Sequence, residues 1–246
     1  MSVRFYRNIP TIKAMTFDLD DTLYDNHPVI MGLEQKMADW MHVHHPVSQQ
    51  MDNTQWRSLK FDLAKQTPFL QSDVSEWRFQ QIRQGLMHLG YDDPKASQAA
   101  KSAMDQVLIW RHQIEVPDLT HQVMAKLKQQ MPLIAITNGN VNPDKIGLGE
   151  YFDLVLNAGP DGWAKPHSQM FETALAHLGL PAENVLHVGD NLISDVAGAK
   201  YVGMQACWIN DYQKSLKHED YGRVLPDVEI TSIEDLLCFL GDELNT

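Results

Sequence analysis

Five short apolar runs constrain the fold most, because their spacing is uneven: residues 12–18 (IKAMTFD), 132–137 (PLIAIT), 154–158 (LVLNA), 184–189 (NVLHVG) and 205–209 (QACWI). Each is bounded by turn residues, as parallel strands covered on both faces should be. Between the last four lie stretches of ordinary crossover length. Asp118 suits the cap of a helix through Gln130, and Met170, Phe171, Ala174, Leu175 and Leu178 recur at helical spacing over 168–178, closed by Gly179. This alternation predicts an α/β fold with a doubly wound parallel sheet.

The first interval is over a hundred residues long, too much for one crossover helix. It reads as an inserted all-helical domain. Val29, Leu33, Met37 and Trp40 recur every three or four residues, as do Phe79, Ile82, Leu86 and Leu89 ahead of Gly90. Asp93 and Pro94 suit the cap and first position of a third helix carrying Ala99, Ala103, Met104, Val107 and Trp110. The expected division is a core of residues 1–25 and 116–246 with a helical insertion over 26–115. His42, His44 and His45 point to different sides of a helix without a further ligand at metal spacing, which predicts a solvated helix end.

Charge narrows the function classes. Twenty basic residues face 32 acidic ones, for a formal net charge of −12 with the cations scattered, so nucleic acid and anionic membranes are disfavoured partners. An anionic ligand would have to be captured by local donors or a metal. Cys207 and Cys238 have neither metal-ligand spacing nor the density of a disulfide scaffold. The segment MSVRFYRNIP lacks the apolar stretch of a secretion signal, and no apolar run reaches the ~18 residues of a membrane span. The expectation is a soluble, cytoplasmic protein.

Against that background, MTFDLDDTLYDN at 15–26 places four aspartates just after a buried strand. Asp18 and Asp20 end the first strand, and Asp190 and Asp195 follow NVLHVG. In an open α/β sheet, residues at the carboxyl ends of strands converge on one crevice. Like-charged pairs at ~4 Å in an effective dielectric of ~20 cost on the order of 4 kcal/mol each. A bound cation relieves that repulsion, and an all-oxygen site with few protein ligands favours Mg²⁺. A calcium-binding EF-hand loop is excluded because Leu23 stands where its glycine should be and Val29 where its glutamate should be. Any one aspartate could be an ordinary turn or capping residue. The set is harder to dismiss, since Thr137-Asn138-Gly139 after the second strand offers a hydroxyl and backbone N–H groups to an oxyanion, and Lys165 in GWAKP supplies a cation.

The ordered set DLDDT at 18–22, TNG at 137–139, Lys165 before Pro166 and GDNLISD at 189–195 resembles the four motifs of the haloacid dehalogenase-like phosphohydrolase superfamily. The resemblance implies a Rossmann-like core with a C1 cap inserted after the first strand. It also implies a Mg²⁺-dependent phosphatase working through an aspartyl-phosphate. By the same resemblance Asp18 is nucleophile and metal ligand, and Asp20 is general acid and base with its carbonyl on the metal. Asp190 is a metal ligand, Asp195 a supporting residue, and Thr137, Asn138, Gly139 and Lys165 bind the phosphate. Asp20 argues against the dehalogenase branch, which lacks this second acid.

Segments including RFYRNIPTIKAMTFDLDDTLYDNHPVI, PLIAITNGN and HVGDNLISDVAGA further resemble the branch that dephosphorylates the ribitylaminouracil phosphate intermediate of riboflavin synthesis. The substrate so implied is a small phosphorylated metabolite, with flavin mononucleotide and sugar phosphates as further candidates. Phosphomutase activity and non-catalytic phosphate binding are the competing readings. In the cap, Trp77, Arg78 and Phe79 either meet an aromatic or anionic substrate or, as aromatics at helical spacing usually do, pack internally.

Overall fold

The computed structural model describes residues 3–210 and 224–240. In chain order the strands and helices are β1 (Arg4–Phe5), β2 (Ala14–Phe17), α1 (His27–His44), α2 (Asn53–Gln66), α3 (Val74–His88), α4 (Asp93–Arg111), α5 (Asp118–Gln130), β3 (Leu133–Thr137), β4 (Leu154–Asn157), α6 (Gln169–Leu178), β5 (Val185–Gly189), α7 (Gly198–Tyr201), β6 (Gln205–Ile209) and β7 (Val228–Ile230). A single π-helical turn, Leu192–Ala197, leads into α7.

The seven strands form one sheet in the order β1-β7-β6-β5-β2-β3-β4, parallel throughout except for β1, which runs antiparallel to β7. β2, β3, β5 and β6 are buried at every position, which is why they read as unbroken apolar runs. The chain leaves β2 toward β3 and β4, then returns to the other flank of β2 with β5 and β6. That reversal makes the gap beyond the carboxyl ends of β2 and β5 the topological switch point, the usual ligand crevice of such sheets. Trp208, Phe171, Met170 and Met204 fill a core on the sheet.

By contact density the chain divides into two compact units, one built from residues up to Asp25 and from Glu115 onward, the other Asn26–Ile114. The second unit is helical, with Ile82, Leu86, Ala100 and Met41 among the side chains of its own apolar core. It contains a helix that periodicity had not indicated, α2, held at its start by a reciprocal cap: Asp52 Oδ1 accepts from Gln55 N–H at 2.8 Å while Gln55 Oε1 accepts from Asp52 N–H at 2.8 Å.

Two expected caps shift by one residue. Asp92, not Asp93, caps α4, accepting from Lys95 N–H at 2.9 Å, and Pro117 precedes α5 so that Asp118 is its first helical residue. In each case the upstream residue adopts the extended backbone an N-cap needs. Gly179 closes α6 with φ 62°, the left-handed conformation a glycine takes without strain. At the end of α1, His44 stacks on Trp40 with ring centroids 4.1 Å apart and His45 meets the edge of Tyr91. In α3, Phe79 packs on the unit's apolar core, and Trp77 Nε1 donates to Lys60 O at 2.7 Å.

Candidate active site

β2 and β5 are paired in register from Ala14–Val185 to Phe17–Val188, and Asp18 N–H extends the ladder by donating to Val188 O at 2.9 Å. Asp18 therefore emerges at the switch point beside the end of β5. The chain then turns sharply: Leu23 N–H and Thr22 N–H both return to Leu19 O, and Asp21 adopts a left-handed φ of 56°. That turn brings Tyr24 alongside Asp20, whose Oδ1 accepts from the tyrosine hydroxyl at 2.7 Å. Tyr24 is a site residue that periodicity could not have revealed, because it acts through a turn.

Lys165 is the centre of the charge arrangement. Its Nζ donates to Asp18 Oδ1 at 2.8 Å, to Asp195 Oδ1 at 2.7 Å and to Ile136 O at 2.6 Å, so all three ammonium hydrogens are used. Burial favours the neutral amine, but the two carboxylates outweigh it and hold the Lys165 pKa above its ordinary value. The backbone beneath it is clamped from both sides, since Asn138 Oδ1 accepts from Lys165 N–H at 2.8 Å and Asn138 Nδ2 donates to Lys165 O at 2.9 Å.

Here two expectations change. The Asn138 side chain positions Lys165. The Gly139 N–H, expected to face an anion, donates instead to Thr137 Oγ1 at 2.9 Å. The Thr137 side chain thus takes up a backbone donor two residues on before any ligand is involved. Thr137 keeps its hydroxyl hydrogen as a donor.

Asp195 is wholly buried on the π-helical turn. Its Oδ1 meets Lys165 and, at 3.4 Å, His187 Nε2; its Oδ2 accepts from Asn191 N–H at 3.0 Å. Burial alone would raise this carboxyl, yet Lys165 and His187 hold it well below the usual range. His187 was also missed by sequence reasoning, although a lone imidazole in the buried run of β5 was the available signal. Burial keeps its ring neutral at pH 7, and a neutral ring donating from Nε2 to Asp195 accepts Thr16 Oγ1 at Nδ1, 2.7 Å away. Gly189 is required by this packing, because a Cβ there would lie 2.3 Å from the Asp195 carboxyl carbon.

At Asp18, burial pushes the carboxyl up to about 8, with Lys165 opposing and the charges of Asp195 and Asp20 adding to the rise. A carboxyl at this position is thus not ionised at neutral pH merely by being an aspartate; further positive charge is needed. The arrangement offers a place for it. Asp18, Asp190 and Asp195 each present a carboxylate oxygen within 4.8 Å of the others, among the described residues the one such cluster of potential ligands. Asp190 is anchored by its carbonyl, which accepts from Trp208 Nε1 at 2.8 Å. Both oxygens of Asp195 are already engaged by Lys165, His187 and Asn191, whereas Asp18 directs one oxygen to Lys165. Hard, anionic oxygens without nitrogen or sulfur donors fit a divalent ion such as Mg²⁺.

Comparison with known proteins agrees with the fold. The haloacid dehalogenase-like hydrolase family matches residues 12–203. The chain is 42% identical over 238 residues to the 5-amino-6-(5-phospho-D-ribitylamino)uracil phosphatase YigB of Escherichia coli (strain K12), covering 97% of this chain and 100% of that protein. It is 29% identical to the (S)-2-haloacid dehalogenase of Pseudomonas sp. (strain YL), over 90% and 91% of the two chains. Among solved structures, a 2-haloacid dehalogenase from Pseudomonas syringae pv. Tomato DC3000 superposes with a TM-score of 0.87 at 32% identity, covering 93% of this chain and 98% of that one. The chain belongs to the haloacid dehalogenase-like hydrolase family.

Proposed function

We propose that the protein is a Mg²⁺-dependent phosphatase that hydrolyses a small phosphomonoester through an aspartyl-phosphate on Asp18. The observation that carries this reading is the convergence of the Asp18, Asp190 and Asp195 carboxylates around a fully engaged Lys165, with Asp20 two residues from the nucleophile and held by Tyr24. Asp18, Asp190 and the Asp20 backbone carbonyl would hold the ion; Asp195 supports by fixing Lys165. The bound ion supplies positive charge that favours the ionised Asp18 and offsets the phosphate's negative charge.

The Asp18 carboxylate oxygen forms a bond to phosphorus as the ester P–O bond breaks, and the Asp20 carboxyl gives its proton to the departing alkoxide. Lys165 and the Thr137 hydroxyl stabilise the negative phosphoryl oxygens. Asp20, now a carboxylate, removes a proton from water, whose oxygen attacks phosphorus and releases Asp18 and inorganic phosphate. The Tyr24 hydrogen bond fixes Asp20 for both proton transfers.

The resemblance to YigB favours ribitylaminouracil phosphate as the physiological substrate in a cytoplasmic riboflavin pathway, with activity on flavin mononucleotide and sugar phosphates as a broader possibility. A dehalogenase reading is suggested by the Pseudomonas proteins, but a departing halide needs no proton and would leave Asp20 without a task. The deciding experiment measures kcat/KM with Mg²⁺ for ribitylaminouracil phosphate, flavin mononucleotide and a sugar-phosphate panel, alongside chloride release from 2-chloropropionate. Phosphate release with the ribitylaminouracil ester preferred supports the reading. Chloride release without phosphatase activity overturns it, and isomerisation of a sugar phosphate would indicate a mutase.

A further inference from the structure

Five buried side chains form a circuit that begins and ends on β2. Thr16 and His187 are Cα partners in the parallel pairing of β2 with β5, and Thr16 Oγ1 lies 2.7 Å from His187 Nδ1. His187 Nε2 lies 3.4 Å from Asp195 Oδ1, that oxygen meets Lys165 Nζ at 2.7 Å, and the same ammonium donates to Asp18 Oδ1 at 2.8 Å. Asp18 is two residues beyond Thr16 on the same chain segment, which closes the ring. The chemistry described above uses Asp18, Lys165 and Asp195 and leaves Thr16 and His187 without a task.

The partners fix where the imidazole carries its hydrogen. Against its burial, Lys165 keeps Asp195 ionised, and a carboxylate only accepts, so the hydrogen belongs on Nε2. Burial keeps the ring neutral at pH 7, which leaves a lone pair on Nδ1 facing Thr16. The Thr16 hydroxyl is therefore the donor there. Phe171 meets the imidazole edge on, with ring centres 5.0 Å apart, and is itself backed by Gly198, where a Cβ would come within 2.7 Å of the phenyl ring. The imidazole is thus held at both nitrogens and along one side.

This matters because Lys165 stands between two carboxylates. An ammonium so placed is drawn toward whichever carries more unshared charge. The His187 N–H takes up part of the charge on Asp195 Oδ1 without adding a second cation, so Nζ stays shared with Asp18. Removing that donor leaves Asp195 to pull Lys165 away from the reacting carboxyl.

We propose that His187 is a positioning residue for the reaction: supported at Nδ1 by the Thr16 hydroxyl, its Nε2–H holds Asp195 so that Lys165 stays aimed at Asp18 and the phosphoryl oxygens. This role rests on the hydrolytic reading of Asp18.

The test compares kcat and KM of the full-length protein and four variants on p-nitrophenyl phosphate with Mg²⁺, together with their melting temperatures. His187→Leu, which keeps apolar volume but no donor, is expected to lower kcat on the order of 10²-fold with KM changed less than about threefold; His187→Gln, which restores an N–H toward Asp195, recovers most of that loss. Thr16→Val should lower kcat several-fold and Thr16→Ser hardly at all. A packing role predicts the reverse order in both pairs, because leucine and valine keep the apolar contacts that glutamine and serine give up. Nuclear magnetic resonance of nitrogen-labelled histidine, with His187 assigned by its loss in His187→Gln, should show Nε2 protonated and Nδ1 bare at pH 7. If melting shows His187→Leu to be unfolded at the assay temperature, the Thr16 pair decides. Leucine or valine variants as active as their polar counterparts, or a ring protonated at Nδ1 instead, overturn the proposal while leaving the hydrolytic reading in place. A natural sequence that releases phosphate from no phosphomonoester overturns that reading, and the positioning role with it.

Discussion

At the Asp18 carboxyl, burial and positive charge act in opposite directions, and the balance gives testable signs. Its folded pKa of about 8 lies above the ordinary 3.8, so between those values the folded metal-free protein keeps a proton that the unfolded chain has lost. The contribution of Asp18 to metal-free stability is therefore present at low pH and lost as pH rises toward 8. Asp195, displaced downward, contributes stability above the ordinary carboxylate range that is lost as pH falls through and below it. Asp18→Asn is expected to abolish turnover, and to raise the metal-free Tm more at pH 8 than at pH 5. Melting curves at the two pH values check the difference.

Asp20→Asn should slow sugar-phosphate hydrolysis by on the order of 10²–10⁴-fold and nitrophenyl phosphate hydrolysis much less, since a nitrophenolate departs without a proton. Gly189→Ala is predicted to cost roughly 1–3 kcal/mol, because backbone and a buried carboxyl must part to admit the methyl group; chemical denaturation measures it. At this scale Asp18, Asp20, Lys165 and Asp190 could be singled out because acids and a lysine recur in a fixed order. Tyr24 and the clamping role of Asn138 could not, since they depend on a turn and a contact spanning 27 residues, and the lone imidazole of His187 in the β5 run marks a polar group whose partners only the strand register supplies.

Among the elements, legibility followed burial. β2, β3, β5 and β6 are covered on both faces and announce themselves as apolar runs, whereas β1 and β7 are two and three residues long, too short for any periodicity to register. α2 escaped notice for the opposite reason to the strands: it buries Ala64 alone, leaving its face mostly exposed, and its best signal was the Asp52 and Gln55 spacing of a capping box. Asp52→Ala should accordingly cost ~1 kcal/mol, within the usual range for an N-cap, read as a lower denaturation midpoint at unchanged slope. The shifts to Asp92 and Pro117 show why cap positions resist sequence reading: in DDP either aspartate offers the same oxygen, and only the backbone entering the helix selects one.

For the whole molecule, the uneven strand spacing predicted a sheet interrupted by a helical insertion, and the contact pattern separates Asn26–Ile114 from the remainder. Among the described residues no helix is long and apolar enough to cross a membrane. The excess negative charge belongs to the unit bearing the carboxylates, so on the proposed reading a divalent ion would stabilise the fold as well as serve the chemistry. Because such an ion competes with the Asp18 proton, Mg²⁺ affinity measured by calorimetry should tighten as pH rises from 6 to 8 and level off above. The central claim, that Asp18 carries the phosphoryl group, is tested most directly by acid-quenching the protein during turnover of a phosphomonoester with Mg²⁺ and mapping phosphorylated peptides by mass spectrometry. A phosphoryl adduct on Asp18, absent from Asp18→Asn, is the predicted result; turnover by Asp18→Asn, or an adduct on another residue, would contradict the account.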